Sequence, residues 1–134
     1  MAGSKDLGFL LKNMKPIQIP GEFVFCSIDE KRIILEAPPL LSFREAEGLT
    51  IVISRSAAES HQLEFDTTWG LVTLSVHSDL AAVGFLAKVT QYLAKAGVSV
   101  NVVSAYYHDH LFVPFTDVRK TIELLTQLSK DYSQ

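Results

Sequence analysis

The residues best suited to metal chemistry lie around residue 109, where two histidines flank an aspartate. Two imidazoles and a carboxylate in His108-Asp109-His110 could bind a divalent metal ion, with His77 as a third imidazole. A polar hairpin turn explains the same string, because aspartate favours turns and the histidines would flank it. The chain has no His-x-x-x-His pair of the helical type and no cysteine partner nearby. The sequence therefore favours the turn, and we predict no bound metal.

A second polar group follows a predicted strand and precedes a predicted helix. Ser78 and Asp79 stand at this point. The start of a helix presents unpaired N–H groups and a positive dipole, which favour an anion by roughly 0.3–1 kcal/mol. A carboxylate would bind there, Asp79 or Asp109 could pair with an amino group, and Asn101 could hydrogen-bond the same molecule. Capping of the helix by Ser78 or Asp79 is the alternative role for these two residues.

Gly84 and Tyr106 are further candidates near this predicted helix. Gly84 is expected within its first turns, where glycine costs roughly 0.5–1 kcal/mol relative to alanine. Close packing of the helix on a sheet and close approach of a ligand explain the glycine equally well. Tyr106 ends a predicted strand, where its ring would cover a sheet edge or a dimer contact, or form an aromatic wall of a pocket.

Motifs of common catalytic sites are missing from the sequence. It contains no Gly-x-Ser-x-Gly turn, phosphate-binding loop or dinucleotide fingerprint. Ser75 and His77 would share one face of a strand, but no acid is placed to orient the histidine. Cys26, the single cysteine, lies in an apolar segment and is expected to be a buried core residue. We therefore predict a protein without enzymatic activity and without a cofactor.

The second half of the chain predicts elements in the order β-α-β-β-α. Strands are expected at 71–76, 98–105 and 111–115, where apolar and polar residues alternate or β-branched residues dominate. Ser78 or Asp79 would cap the first helix, which Gly97 ends, and Thr116 or Asp117 would cap the second. This order is the split β-α-β plan of ferredoxin-like folds without its last strand.

The first half predicts the same plan without its first strand. Its expected elements are a helix capped by Ser4 and ended by Pro16, a hairpin of 17–19 and 22–28 around Pro20-Gly21, a helix from Pro38 to Glu47 closed by Gly48, a strand at 49–53, and a polar turn or brief helix at 54–60. Pairing of the strands at 49–53 and 71–76 would join the two halves.

Composition limits the classes of partner. A chain of 134 residues that is 48% hydrophobic forms one domain or two very small ones. A net charge of −3 and a pI near 5.7 disfavour nucleic acid. Without a membrane-spanning apolar run or a basic-apolar leader, a cytoplasmic protein is expected. The mean hydropathy of +0.21 predicts apolar surface buried against a second copy.

Several segments resemble the small bacterial tandem ACT-domain proteins. The resemblance is carried by residues 69–85, which begin Trp69-Gly70-Leu71-Val72, and 97–114, which begin Gly97-Val98-Ser99-Val100, and in the first half by 10–16, 21–26 and 43–50. The same residues are similar to the ACT halves of the animal cytosolic arginine sensor. The resemblance covers nearly the whole chain.

This resemblance implies an α+β, ferredoxin-like tandem repeat, with antiparallel sheets and helices on one face, in halves 1–66 and 67–134. It also implies a non-catalytic regulatory module that binds a small amino acid or similar metabolite, as a homodimer that could regulate a partner protein. Family ligand sites use the loop after the first strand and the start of the next helix, here residues 77–85, although Asp79-Leu80-Ala81-Ala82-Val83-Gly84 lacks the proline of the common Asp-x-Pro-Gly turn. The predicted ligand-binding residues are His77, Ser78, Asp79, Val83, Gly84, Phe85, Asn101, Tyr106 and Asp109.

Two alternative functions stay open at this stage. A ligand-free oligomerisation or adaptor module would have the pocket around Gly84 filled by side chains such as Phe85 and Tyr106. A metal-dependent enzyme would need the imidazoles of His77, His108 and His110 to converge.

Overall fold

The computed structural model describes residues 3–29, 31–32 and 35–133. The described residues form α-helices and antiparallel β-strands, and the predicted α+β class is confirmed. The elements are α1 (Leu7–Asn13), β1 (Pro16–Ile28), β2 (Leu41–Glu45), β3 (Gly48–Ser54), α2 (Arg55–Ser60), β4 (Trp69–Leu74), α3 (Phe85–Lys95), β5 (Asn101–Ser104), β6 (Asp109–Pro114), a 3₁₀ turn (Phe115–Asp117) and α4 (Val118–Asp131). No described helix combines the length and apolar character needed to cross a membrane.

The chain divides into two compact units. Unit 1 comprises the described residues of Met1–Pro20 and Gly70–Gln134, and unit 2 comprises those of Gly21–Trp69. Strand β1 starts in unit 1 and continues into unit 2 from Gly21. The division into residues 1–66 and 67–134 concerns the sequence repeats and stays a prediction. The compact units instead place α1 together with β4 to α4.

Unit 1 packs three helices against strands in the order β1, β4, β6, β5. Strands β5 and β6 are antiparallel, with Ser104 opposite Asp109 and Asn101 opposite Phe112. Helix α1 packs against both α3 and α4. The core unites apolar residues from all three helices and from the strands, including Leu10, Leu11, Met14, Val72, Leu74, Val89, Leu93, Leu111, Val113, Leu125 and Leu128. The predicted inward face of α4, formed by Val118, Ile122, Leu125 and Leu128, is confirmed. The stripe predicted for the other long helix is confirmed at Leu86, Val89 and Leu93 but not at Val83, which precedes α3 and is exposed.

Unit 2 is built around strands in the order β2, β3, β1, with both pairings antiparallel. The predicted strand at 49–53 and the brief helix at 54–60 are confirmed, and the Ser54 side chain caps α2 by accepting a hydrogen bond from the Ala57 N–H. Its core comprises Val24, Cys26, Ile28, Ile51, Ile53 and Ala58. Burial raises the pKa of the Cys26 thiol, which is the environment of an inert core cysteine.

The predicted hairpin around Pro20-Gly21 is wrong, because β1 runs through both residues as one strand. Gly21 adopts a φ of +125°, which glycine tolerates without cost from a side chain. The chain therefore passes this point without the reversal that the Pro-Gly pair predicts. Proline is compatible with an extended strand because its fixed φ lies within the extended region.

The helix predicted between Pro38 and Glu47 is also wrong. Residues 41–45 form β2, with Leu41 opposite Val52 and Glu45 opposite Gly48. A helix of this length is marginal by itself, so pairing with β3 overrides the local helix propensity. The expected pairing of β3 with β4 is wrong as well, since β3 lies between β2 and β1.

Helix caps differ from the predicted ones in two places. Asp6 caps α1 in place of Ser4, because its Oδ1 accepts a 2.9 Å hydrogen bond from the Phe9 N–H. Helix α3 begins at Phe85, so neither Ser78 nor Asp79 caps it. Gly97, with a φ of +77°, follows the end of α3 as predicted. Asp117 stands at the N-cap of α4 without a side-chain capping bond.

Candidate functional site

The loop between β4 and α3 folds into a tight turn at Asp79. The Asp79 carboxylate accepts a 2.7 Å hydrogen bond from the Ala81 N–H, and its carbonyl accepts one of 2.9 Å from the Ala82 N–H. The side chain thus stabilises the turn. The residues after the turn lead to Gly84, and among them Val83 is 84% exposed.

The sequence predicts Gly84 within the first turns of this helix, but the structure places it at the N-cap of α3. Its φ of +90° is a left-handed conformation that favours glycine. Since glycine has no side chain, the first N–H groups of α3 have neither a side-chain cap nor an intrahelical acceptor. The start of this eleven-residue helix is therefore available to an anion.

Asp109 is a buried carboxylate, 5% exposed, at the first residue of β6. The Ser78 hydroxyl donates to its Oδ2 at 2.9 Å, and the Ser104 hydroxyl donates to its Oδ1 at 2.8 Å. The ion pairs of the described residues all lie elsewhere. A carboxylate can accept further hydrogen bonds beyond these two, so Asp109 has capacity for a cationic donor.

The predicted turn lies just before Asp109, at Tyr106 and Tyr107, so Asp109 itself is a strand residue. The Ala105 N–H donates to the His108 carbonyl at 3.0 Å and closes the turn. Ser104 is not among the residues predicted from the sequence, and its contact with Asp109 follows from their opposite positions on β5 and β6. The sequence signal that could have predicted this contact is the short separation of Ser104 and Asp109 across a hairpin turn.

These groups line a pocket of about 110 Å³ in unit 1. Its lining includes Asp109, the two serines that donate to its carboxylate, and the first residues of α3. The lining residues are Ser78, Asp79, Leu80, Ala82, Gly84, Phe85, Leu86, Ala87, Ser104 and Asp109. Five of the nine predicted ligand-binding residues are among them: Ser78, Asp79, Gly84, Phe85 and Asp109.

The other four predicted residues lie outside this lining. Asn101 is at the end of β5 remote from Ser104, and the exposed Val83 side chain is absent from the pocket wall. Tyr106 is 61% exposed and packs edge-on against Tyr107, with ring centroids 4.9 Å apart. His77 packs against His108 at 4.9 Å between centroids. Tyr106 therefore does not fill the pocket.

His77, His108 and His110 form a cluster of rings. No group of three or more His, Cys, Asp or Glu residues in the described ranges is placed to hold a metal ion. His110 Nδ1 lies 2.8 Å from Thr73 Oγ1, within hydrogen-bond distance. Burial, and then the neighbouring His108, lower the pKa of His110, while Asp109 acts in the opposite direction. The arrangement is that of a neutral, hydrogen-bonded imidazole.

Comparison with known families gives two tandem matches that overlap at residues 65–69. ACT-domain family models match residues 2–69 and residues 65–127. ACT domains are ferredoxin-like regulatory modules that bind small molecules, so the predicted ferredoxin-like class is confirmed. No curated protein matches the chain.

Solved structures supply further relatives. A Vibrio cholerae protein of unknown function, described as a possible transport protein, is 38% identical, with a TM-score of 0.81 over 93% of this chain and 97% of that chain. An Agrobacterium tumefaciens protein is 21% identical, with a TM-score of 0.68 over 85% and 87%. The regulatory subunit of aspartate kinase from Thermus thermophilus, in a ligand-free form, is 8% identical, with a TM-score of 0.63 over 84% and 95%. The last two show likeness of fold alone. Together with the tandem matches, these findings confirm the predicted resemblance, and the chain belongs to the ACT-domain family.

Proposed function

We propose that this protein is a non-catalytic regulatory module whose unit 1 pocket binds a small amino acid. One observation carries the proposal: the buried Asp109 carboxylate, which forms no ion pair with the residues that the structure describes, lines the same small pocket as an uncapped helix start. These two features complement the ammonium and carboxylate groups that every free amino acid carries.

The ammonium group would bind Asp109. Burial of a carboxylate away from water is costly unless hydrogen bonds or a cation compensate for it. Ser78 and Ser104 supply two hydrogen bonds but no positive charge. A ligand ammonium would add charge-assisted hydrogen bonds, which are roughly twice as strong as neutral ones.

The ligand carboxylate would bind at the start of α3. The N–H groups of Phe85, Leu86 and Ala87 belong to the first turn, and all three residues line the pocket. Free N–H groups and the helix dipole both favour an anion at this position.

The size and lining of the pocket favour a short side chain on the ligand. Its volume of about 110 Å³ is well below the roughly 300–1,000 Å³ typical of pockets for drug-sized ligands. Leu80, Ala82 and Leu86 supply apolar wall. Tyr106 lies outside the wall, and Phe85, although 2% exposed, leaves this space open. An adaptor with a filled pocket accounts less well for that space.

A thermal-shift screen of the twenty standard amino acids tests the proposal. A ligand at about one hundred times its Kd stabilises the folded state by about 2.7 kcal/mol. Asp109→Asn should abolish the shift, because it removes the charge and keeps the shape. Asp117→Asn, which changes an aspartate that makes no capping bond at α4, is the matched control. If no amino acid moves the melting temperature, the proposal is wrong.

Analogues of the bound amino acid separate the two recognition steps. The corresponding amine lacks the carboxylate, and the corresponding carboxylic acid lacks the ammonium. Each should bind far more weakly than the amino acid, because the amine leaves the N–H groups at the start of α3 without a partner and the carboxylic acid leaves Asp109 without one. Equal binding of the carboxylic acid would contradict the role of Asp109.

Regulation would arise if the ligand changes the affinity for a partner protein. A ligand shifts an equilibrium only by its differential affinity for the two states. We propose that the residue 77–84 loop is the part that changes, in a cytoplasmic homodimer. Leu80 and Val83 are exposed apolar residues of this loop, which supports coverage by another chain. Sedimentation velocity with and without the bound amino acid tests the dimer.

A further inference from the structure

The backbone of Ser4 is hydrogen-bonded to the loop that lines the pocket. The Ser4 N–H donates to the His77 carbonyl at 3.0 Å, and the Asp79 N–H donates to the Ser4 carbonyl at 2.9 Å. Ser4 thereby forms a parallel bridge with Ser78. Ser78 lies between the two hydrogen bonds, and its hydroxyl contacts Asp109. Ser78 thus connects the position of Ser4 to the buried Asp109 carboxylate.

Residues on both sides of Ser4 also lie close to this loop. A Cβ atom added to Gly3 would lie 2.5 Å from the His77 carbonyl oxygen, which is closer than real Cβ contacts. The Leu7 Cδ2 atom lies 3.8 Å from the position of a Cβ on Gly84. Residues Gly3–Leu7, here named the strap, therefore lie against the loop at His77 and near Gly84.

The strap is anchored by α1, which begins at the last strap residue, Leu7. Leu10, Leu11 and Met14 are fully buried in the unit 1 core. At the other end of α1, the Ser75 N–H donates to the Met14 carbonyl at 2.7 Å. The segment from Ser4 to Met14 is consequently bonded to both ends of the stretch from Ser75 to Asp79. An anchor of this kind restricts the conformations that the loop can adopt.

We propose that the strap is a positioning element for the amino-acid pocket, so that its detachment weakens ligand binding. The inference rests on the proposed function. None of the strap residues lines the pocket, so the effect acts through the loop and not through contact with the ligand. When only a fraction of the protein is competent to bind, the apparent Kd rises in inverse proportion to that fraction.

Two variants detach the strap by different means. Gly3→Ala introduces a Cβ that collides with the His77 carbonyl, and Ser4→Pro removes the N–H that donates to it. Gly8→Ala is the control for the first, because a Cβ there meets only the Asp6 side chain at 3.5 Å. Ser4→Ala is the control for the second, because it keeps both backbone hydrogen bonds.

The probes are the twenty standard L-amino acids, titrated singly against the full chain by thermal shift. For the amino acid that binds the unsubstituted protein, both strap variants should raise the Kd by about tenfold. This rise is expected if the loop adopts its binding-competent conformation in about a tenth of the molecules. Both controls should leave that Kd unchanged. Without ligand, hydrogen exchange of the Asp79 amide should be faster in the two strap variants than in the controls.

Each outcome has a separate meaning. If the unsubstituted protein binds no amino acid, the proposed function fails, and the strap proposal fails with it. If the unsubstituted protein binds and either folded strap variant keeps the same Kd, the strap proposal alone is overturned. A lower melting temperature with an unchanged Kd also overturns it, because that result describes a purely structural contact. Ser4→Pro keeps the test decisive where Gly3→Ala does not fold.

Discussion

The hydroxyl of Ser78 donates a 2.9 Å hydrogen bond to Oδ2 of Asp109, and both side chains are buried. Ser104 donates to the other carboxylate oxygen from β5. The two donors come from separate segments, one after β4 and one on β5, so the carboxylate holds these segments at a fixed spacing. Neither donor carries a charge, so the negative charge of Asp109 stays available to a cationic group.

Ser104→Ala should lower both stability and the proposed amino-acid affinity. It removes one hydrogen bond to a charged group, a type of bond that contributes roughly 1.5–3 kcal/mol. Urea denaturation measures the first effect, and thermal-shift titration measures the second. Ser42→Ala, on the exposed face of β2, is the control and should change the free energy of unfolding by less than about 0.5 kcal/mol. Equal effects of the two substitutions would show that Ser104 does not support Asp109.

Gly84→Ala and Gly97→Ala should lower stability alike but affect binding differently. Both glycines have positive φ, +90° and +77°, so alanine at either site introduces backbone strain of about 1–3 kcal/mol. Only Gly84 lines the pocket, whereas a Cβ on Gly97 meets no atom within 4 Å. Only Gly84→Ala should therefore raise the Kd of the bound amino acid in a thermal-shift titration. A comparable rise for Gly97→Ala would trace the effect to global destabilisation.

Local sequence patterns were sufficient for most of unit 1 and insufficient for much of unit 2. Val72 and Leu74 alternate with polar residues, and the helices carry continuous apolar stripes, so each element is readable from its own residues. Residues 41–45 have helix formers around them but become a strand because β3 lies alongside. The partner of a strand is not encoded within the strand, which explains the wrong helix there.

The same distinction applies to the candidate site. Gly84 and Asp109 attract attention by residue type alone, one as an unusual glycine near a helix start and the other as an acid between histidines. Ser104 gains its role only from the β5–β6 register, which brings it opposite Asp109. The strap contact between Ser4 and Ser78 joins residues far apart in the chain and has no local signal.

His110 should make the protein less stable as the pH falls. Its pKa is lowered in the folded state, chiefly by burial and then by His108, so the unfolded chain binds more protons as the pH falls below the ordinary histidine value of about 6.5. Stability contributed by the neutral ring is thus present above that pH and is lost as the pH falls through the folded-state pKa. His110→Gln removes this titrating group while keeping a polar side chain near Thr73.

Urea denaturation at pH 7.5 and pH 5.0, compared between the unsubstituted protein and His110→Gln, measures this contribution. The unsubstituted protein should lose more free energy of unfolding on acidification than the variant does. His108→Gln should reduce the loss partly, because His108 is the second cause of the lowered pKa of His110. An identical pH dependence in all three proteins would mean that His110 does not couple folding to protonation.

Gly70 and Val118 should show strongly non-additive effects on stability. A Cβ on Gly70 would collide with Cγ2 of Val118, at the first residue of α4, so the Val118 side chain occupies the space that a side chain at residue 70 would need. Gly70→Ala alone should lower the free energy of unfolding by about 1–3 kcal/mol through overpacking. Val118→Ala alone removes buried methyl groups and should also destabilise the protein.

The double variant places a methyl group at residue 70 in space that the valine has left. Its loss of stability should therefore be smaller than the sum of the two single losses, by about 0.5–3 kcal/mol in urea denaturation. Strictly additive losses would show that the methyl group at residue 70 does not occupy the space left by the valine, and that helix α4 moves away from the sheet. Because α4 packs on α1, and α1 carries the strap, that result would also predict faster hydrogen exchange at Asp79 in Gly70→Ala.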